Sequence, residues 1–151
     1  IGQGDLLVTP LWLNAYVSAI ANGGSIQKPR VVQKITDSNK EVLANFIPEI
    51  IAPLPFSQDV INEIKKGMRE TVISGTAQIM NQLPVKAAAK TGTAEVIKGK
   101  SINSLFTLFA PYDNPEISLT ILIEGSASNQ GLAIRAAYNT LKWYFSVTAS
   151  L

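Results

Sequence analysis

The chain of 151 residues contains no cysteine and no histidine, and these two absences restrict the chemistry that it can perform. Without cysteine, no disulfide, thiolate nucleophile or thiolate metal site can form within the chain. Without histidine, a Ser-His-Asp triad and a histidine-based zinc site are excluded as well. Acid or base chemistry therefore falls to lysine, a carboxylate or tyrosine, and the sequence predicts neither a metal site nor a cofactor.

Charged residues are also scarce, at 16% of the chain, and the formal net charge is only +2. Two basic residues are adjacent only at Lys65-Lys66, so the sequence does not indicate nucleic-acid binding. Apolar residues make up 46% of the chain, but polar residues interrupt them too often for a membrane span. This composition predicts one globular domain with a single core.

The chain begins Ile1-Gly2-Gln3-Gly4, without an initiator methionine, a signal peptide or an anchor. We therefore expect residues 1–151 to be part of a longer protein.

Two helices are predicted in the first half of the chain. Thr9-Pro10 provides an N-cap and a first helical position, apolar residues follow at helical spacing, and Asn22-Gly23-Gly24 ends the helix. Ser57 caps a second helix that should end before Gly75. Its apolar positions, at a 3.6-residue period, are Val60, Ile61, Ile64, Met68 and Val72.

The segment between these helices is less regular. Residues 26–35 are rich in β-formers but interrupted by Pro29, which is typical of an edge strand or hairpin. Asp37-Ser38-Asn39-Lys40 is the expected turn. Residues 48–55 contain three prolines and should be irregular.

The second half predicts a sheet and a closing helix. Residues 87–96, 105–110 and 117–124 are β-like runs joined by turn sequences, an arrangement that favours an antiparallel meander. Leu132 to Phe145 has the pattern of an amphipathic helix, with Ile134, Ala137, Tyr138, Leu141 and Phe145 on one face. Two helices, three antiparallel strands and a closing helix define an α+β fold.

One stretch, Lys90-Thr91-Gly92-Thr93, has residues suited to a ligand. Alternate side chains of a strand face the same way, so Thr91 and Thr93 present two hydroxyls on one side and Lys90 points to the other. Gly92 has no Cβ and would let a ligand backbone approach the strand. Two hydroxyls and an ammonium suit a carboxylate. The same residues also fit a strand with a glycine bulge and a solvated lysine that binds no ligand, because a motif this short is a weak signal of function.

The longer pattern resembles the transpeptidase domain of class B penicillin-binding proteins, above all the elongation type, penicillin-binding protein 2. The similar segments run in the family's order over nearly the whole chain: GQGDLLVTPLWL (2–13), ANGG (21–24), GMRETVISGTA (67–77), KTGTAEV (90–96), FAPYDNPEISLTILIEG (109–125) and the closing helix. The resemblance implies that residues 1–151 are the C-terminal part of a single transpeptidase domain.

The resemblance also implies a reaction. A serine of an SxxK motif attacks the penultimate D-alanine carbonyl of a peptidoglycan stem peptide, and an amine of a neighbouring stem resolves the acyl-enzyme and crosslinks the wall. Lys90 would add positive potential, and Thr91 and Thr93 would hold the terminal carboxylate of D-Ala-D-Ala or of a β-lactam. The backbone N–H of Thr93 would donate to the oxyanion, and Gly92 would keep the strand flat and open.

The family's SxxK and SxN motifs should precede this chain, and three short matches within it are rejected. Ser25-Ile26-Gln27-Lys28 follows a helix end, and Lys28 precedes proline, which disfavours the helix that SxxK needs. Ser101-Ile102-Asn103 follows the KTG motif and is expected in a hairpin loop. Gly99-Lys100-Ser101 lacks the first P-loop glycine, since that position is Ala94. Ser74 to Ala77 is taken as a structural loop that could border the cleft.

These expectations leave three functions open. The chain can carry the substrate-binding strand of a transpeptidase without its nucleophile, be a non-enzymatic binding or assembly module, or belong to a β-lactamase-like hydrolase. The first predicts an inactive isolated chain, whose partners would be the rest of its domain and, through uncovered edges, other copies of itself. The resemblance implies a site on the extracytoplasmic face of the cytoplasmic membrane.

Overall fold

A computed structural model describes residues 4–127 and 131–148. Within these residues the α-helices are α1 (Pro10–Ala21), α2 (Gln58–Ile73) and α3 (Leu132–Thr148), and a 3-10 helix spans Gln78–Gln82. The strands are β1 (Ser25–Gln27), β2 (Lys34–Thr36), β3 (Val42–Asn45), β4 (Ile50–Pro53), β5 (Ala88–Ile97), β6 (Ser101–Ala110) and β7 (Ile117–Ser126).

The main sheet is a three-stranded antiparallel meander in the order β5-β6-β7. Gly99, with a φ of 68°, makes the tight turn between β5 and β6, where a residue with a Cβ would be strained. β6 begins at Ser101 rather than at Leu105, because residues 101–104 continue the ladder with β5. The predicted meander is confirmed, with this longer central strand.

Helices cover both faces of the main sheet. On one face, Phe106 and Leu108 of β6 pack with Leu141 of α3. On the other face, Phe109 packs with α1, through residues that include Ile20. The predicted α+β class is confirmed. The predicted inner face of α3 is confirmed too, with Ala137, Leu141 and Phe145 buried and Ile134 and Tyr138 partly buried against the same core.

The ends of α1 follow from its sequence. The Thr9 side chain accepts a hydrogen bond from the Trp12 N–H at 3.3 Å, as an N-cap does. At the other end, the Gly24 N–H donates to the Ala19 carbonyl at 2.7 Å in a Schellman arrangement. Gly24 has a φ of 119°, which favours glycine. The predicted start and stop of α1 are confirmed.

The predicted second helix is confirmed as α2, with Ser57 as its N-cap. The Ser57 hydroxyl accepts from the Val60 N–H at 3.4 Å. Ile61, Met68 and Val72 are buried along its inner face, but Val60 is 44% exposed and does not belong to the core.

The region between α1 and α2 is more regular than its sequence suggests. Residues 48–55 were expected to be irregular, but β4 lies within them and pairs antiparallel with β1. The prediction was wrong because Pro48 and Pro55 flank β4 and Pro53 is its last residue, positions where a strand tolerates proline. β2 and β3 form a separate hairpin whose turn is the predicted Asp37 to Lys40.

Among the described residues, no helix combines the length and the hydropathy that crossing a membrane requires.

Candidate functional site

The KTG residues lie on β5, which has a neighbouring strand on one side only among the described strands. Lys90 stands opposite Thr107 of β6, and Gly92 stands opposite Leu105. The other side of β5 is therefore a strand edge, except near its start, where Arg69 of α2 donates to the carbonyl oxygen of Ala87. A strand edge has backbone N–H and C=O groups that an extended ligand can use.

The small residues before the motif fix the orientation of β5. Ala87 and Ala89 are fully buried in the core that contains α3, whereas Ala88 is fully buried in the core that contains α1. Because side chains alternate along a strand, Thr91 and Thr93 share the face of Ala89, and Lys90 shares the face of Ala88. The sequence prediction that the two threonines face one way and the lysine the other agrees with this burial.

Lys90 is exposed, and its Nζ donates to the carbonyl oxygen of Thr91 at 2.7 Å. Within residues 4–127 and 131–148, its ammonium makes no ion pair with a carboxylate. The positive charge is therefore available to an anionic ligand at the edge of β5.

Gly92 is not required by the packing of the strand. A Cβ built at this position would meet Leu105 Cβ at 3.4 Å, which is ordinary van der Waals contact. Its φ lies outside the left-handed region that favours glycine. The fold would thus accept alanine here, and the missing side chain leaves space over the strand that a ligand can use.

The loop after α2 reaches this site. The hydroxyls of Thr76 and Thr91 lie 3.0 Å apart and share a hydrogen bond. Both residues line a pocket of about 160 Å³, together with Gly92, Leu105 and Ile134. The sequence predicts a structural loop at residues 74–77 that could border the cleft, and it does not place Thr76 among the site residues. The available signal in the sequence was the pair Gly75-Thr76 in a loop. Only the folded chain shows that this loop contacts β5.

The remaining residues of that loop do have structural reasons. A Cβ at Gly75 would stand 2.8 Å from the Cα of Thr71, too close for any other residue without a backbone shift. Ala77 is fully buried. The structural interpretation therefore holds for Gly75 and Ala77, while Thr76 faces the site.

The three rejected motif matches lie in places that do not suit their families' chemistry. Ser25 to Gln27 form β1, so Ser25 and Lys28 do not share a helical face. Gly99 and Lys100 form the β5-β6 turn, which leads into a strand rather than a helix. Ser101 to Asn103 were expected in a hairpin loop, but they begin β6, and the Asn103 side chain accepts from the Gly125 N–H at 3.1 Å.

A larger concavity than the pocket beside the KTG residues lies away from β5. It is a groove of about 470 Å³ between α1 and residues 28–31, also lined by Ser118. Its charged side chains are engaged elsewhere, since Lys28 pairs with Glu49 and Arg30 donates to the carbonyl oxygen of Phe46. In the part of the chain that the structure describes, no group of three acidic side chains is placed to hold a metal ion.

Comparison with known proteins places this geometry in a family. The model of the penicillin-binding protein transpeptidase domain matches residues 1–142. Penicillin-binding protein 2A of Bacillus subtilis is 36% identical over 138 residues, which cover 82% of this chain and 19% of that protein. The peptidoglycan D,D-transpeptidase MrdA of Haemophilus influenzae is 25% identical over an alignment of 168 positions, which covers 97% of this chain and 25% of that protein.

A solved structure shares the fold. Penicillin-binding protein A of M. tuberculosis, as its imipenem acyl-enzyme complex, superposes with a TM-score of 0.79 at 25% sequence identity, over 95% of this chain and 32% of that one. The chain belongs to the family of penicillin-binding protein transpeptidase domains, and the predicted class B relationship is confirmed. It spans about one fifth of the length of the first curated relatives that it matches.

Proposed function

We propose that this chain supplies the substrate-binding strand of a peptidoglycan D,D-transpeptidase. The observation that carries the proposal is the edge of β5 in a chain of this family. Two hydroxyls on one face and an open glycine occur there, with an ammonium that has no ion pair among the residues the structure describes. A stem peptide ending in D-Ala-D-Ala has an extended backbone and a terminal carboxylate, and both features match this edge.

Each residue of the motif has a role in the proposal. Thr91 and Thr93 bind the terminal carboxylate through their hydroxyls, and Lys90 adds positive potential beside them. Gly92 leaves room for the backbone of the peptide. The N–H of Thr93 donates to the oxyanion that forms when the penultimate carbonyl is attacked.

The reaction also needs a nucleophile, which we assign to a serine outside residues 1–151. Its oxygen forms an ester with the penultimate D-alanine while the amide bond to the last D-alanine breaks and that residue leaves as the free amine. An amine of a neighbouring stem then attacks the ester, forms the crosslinking amide and returns the proton to the serine. A β-lactam meets the same serine, and its acyl group remains attached because the ring opens without releasing a fragment.

The complete transpeptidase domain and the isolated chain should differ in a penicillin-labelling experiment. We expect a fluorescent penicillin to label the complete domain covalently and the isolated 151 residues not at all. Stoichiometric labelling of a serine in the isolated chain would overturn the assignment of the nucleophile. Rapid release of the label as penicilloic acid, with repeated turnover, would instead favour a hydrolase, and no labelling of the complete domain would favour a non-enzymatic module.

Substitutions on β5 test the binding role directly. Removing both hydroxyls, with Thr91→Val and Thr93→Val, should slow the acylation of the complete domain by at least about a hundredfold, because each hydrogen bond to a carboxylate contributes about 1.5–3 kcal/mol. Val96→Ala is the matched control, since Val96 lies on the same strand beyond the motif and is 55% exposed. Equal rates for the native domain and the double variant would contradict the proposal.

The proposal includes partners and a location. The rest of the domain is the first partner, and a site on the extracytoplasmic face of the membrane follows from the substrate. The isolated chain should also self-associate, because Leu6 and Leu7 are 86% and 94% exposed and Trp12 is half exposed. Sedimentation velocity of the isolated chain over a hundredfold range of concentration tests this, and a constant monomer mass would contradict it.

A further inference from the structure

We propose that Thr76 is a positioning residue for Thr91: its hydroxyl donates to Thr91 Oγ1 and thereby turns the Thr91 proton toward a bound carboxylate. The inference rests on the proposed function, because it requires that Thr91 bind a carboxylate. It adds a residue that lies outside the KTG motif and on a different element of the fold.

The geometry joins two segments that are distant in sequence. Thr76 lies in the loop after α2, and its hydroxyl oxygen is 3.0 Å from that of Thr91 on β5. Thr76 is exposed and Thr91 is half-buried, so this pair lies at the surface of the pocket and not in the core. A ligand over Gly92 would therefore lie beside this pair and bind the Thr91 hydroxyl.

Hydrogen bonds hold the backbone on either side of Thr76, and this fixes the position from which its side chain extends. The Gly75 N–H donates to the Glu70 carbonyl at 3.1 Å, and the Ala77 N–H donates to the Thr71 carbonyl at 3.0 Å. Gly75 packs directly on the backbone of Thr71, and Ala77 is fully buried. Thr76 is thus held between two anchored residues, as a positioning group must be.

The direction of the shared hydrogen bond follows from the chemistry of a carboxylate. A threonine hydroxyl has one proton to donate and two lone pairs to accept with, and an ionised carboxylate can only accept. Thr91 must therefore give its proton to the ligand, and this leaves its oxygen as the acceptor for Thr76. A chain from Thr76 to Thr91 to carboxylate also polarises each hydrogen bond in the same sense, which strengthens the bond to the ligand.

The test uses the complete transpeptidase domain and the second-order rate of acylation by benzylpenicillin. Thr76→Val keeps the shape of the side chain and removes the donor, and we expect it to slow acylation about fivefold, the effect of losing one neutral hydrogen bond. Thr76→Ser keeps the donor and should remain within twofold of the native rate. Ser74→Ala is the matched control, because it removes a hydroxyl of the same loop whose contacts are with Glu70.

A second substrate separates positioning from a loss of structure. The methyl ester of benzylpenicillin replaces the ionised carboxylate with a neutral acceptor, whose hydrogen bond to Thr91 is weaker, so Thr76→Val should slow acylation by the ester less than it slows acylation by benzylpenicillin. A loop disturbed by the substitution would slow both substrates alike, and that result would overturn the proposal. So would a Thr76→Ser variant as slow as Thr76→Val.

The Thr91→Val variant distinguishes failure of this inference from failure of the proposed function. If Thr91→Val is acylated by benzylpenicillin as fast as the native domain, Thr91 does not bind the carboxylate and both proposals fall. If Thr91→Val is slow while Thr76→Val is not, the carboxylate role stands and the positioning role alone is wrong. In the expected case, the double variant is no slower than Thr91→Val, because Thr76 acts only through Thr91.

Discussion

The guanidinium of Arg69 on α2 donates a hydrogen bond of 2.8 Å to the carbonyl oxygen of Ala87, the residue that precedes β5. Ala87 is fully buried, so few other partners can reach this oxygen. The bond joins the helix to the strand three residues before Lys90. It holds the start of β5 in place without occupying any atom of the motif.

Replacing Arg69 with methionine should lower the free energy of unfolding of the transpeptidase domain by about 1–3 kcal/mol, because the buried carbonyl oxygen loses its donor. Methionine preserves much of the side chain's apolar length, so the effect reports the lost hydrogen bond. Chemical denaturation provides the measurement.

The control for Arg69 is the neighbouring ion pair between Lys86 and Asp113, at 3.0 Å. Both side chains are more than 60% exposed, so Asp113→Asn should cost less than about 1 kcal/mol. An Asp113→Asn variant that loses as much stability as Arg69→Met would contradict the distinction between the two contacts.

Gly75→Ala should destabilise the domain by more than about 1 kcal/mol, because its Cβ would stand 2.8 Å from the backbone of Thr71. Gly67→Ala is the matched substitution within α2, where a Cβ meets nothing within 4 Å. It should stabilise the domain by about 0.5–1 kcal/mol through helix propensity. Thermal melting of both variants gives the comparison, and shifts of the same sign would contradict it.

Gly92→Ala should separate folding from ligand binding. We expect the free energy of unfolding to change by less than about 1 kcal/mol, since the added methyl group meets only Leu105 at ordinary contact distance. On the proposed function, acylation by benzylpenicillin should slow by about tenfold or more, because the methyl group displaces the ligand backbone. Unchanged acylation in a folded variant would show that the ligand does not lie over Gly92.

The pKa of Lys66 should lie above its ordinary value of 10.5, because its ammonium donates to Glu63 Oε1 at 2.5 Å and is attracted by that carboxylate. A raised pKa in the folded state means that this contact stabilises the fold below pH 10.5 and that the contribution disappears as the pH rises through the folded-state pKa. NMR titration of the Lys66 side chain measures it. Glu63→Gln should lower the pKa, and an unchanged value would refute the pairing.

Local signals in the sequence predicted the helices well. Thr9-Pro10 and Asn22-Gly23-Gly24 bound α1 because capping depends on residues that are adjacent in the chain. β4 was missed for the opposite reason. Its strand character comes from pairing with β1, more than twenty residues away, and three prolines hide it from any local pattern.

The candidate site shows the same division. Lys90 to Thr93 could be predicted as site residues from their own residue types and their flanking sequence. Thr76 could not, because its role depends on a loop that meets β5 only after α2 has packed against the sheet. The spacing of residues along the chain does not show that this loop contacts β5. The pair of hydroxyls can therefore be identified only from the three-dimensional structure.

The three alanines before the motif have a consequence for how this protein can vary. Ala87, Ala88 and Ala89 are fully buried, alternately in the two cores, so a larger side chain at any of them would push against a helix. The resulting displacement of β5 would also shift Lys90 and Thr91, which follow on the same hydrogen-bonded strand. On the proposed function, reduced susceptibility to β-lactams can therefore arise at positions that no drug touches, and surveillance that reads only the KTG letters would overlook such variants.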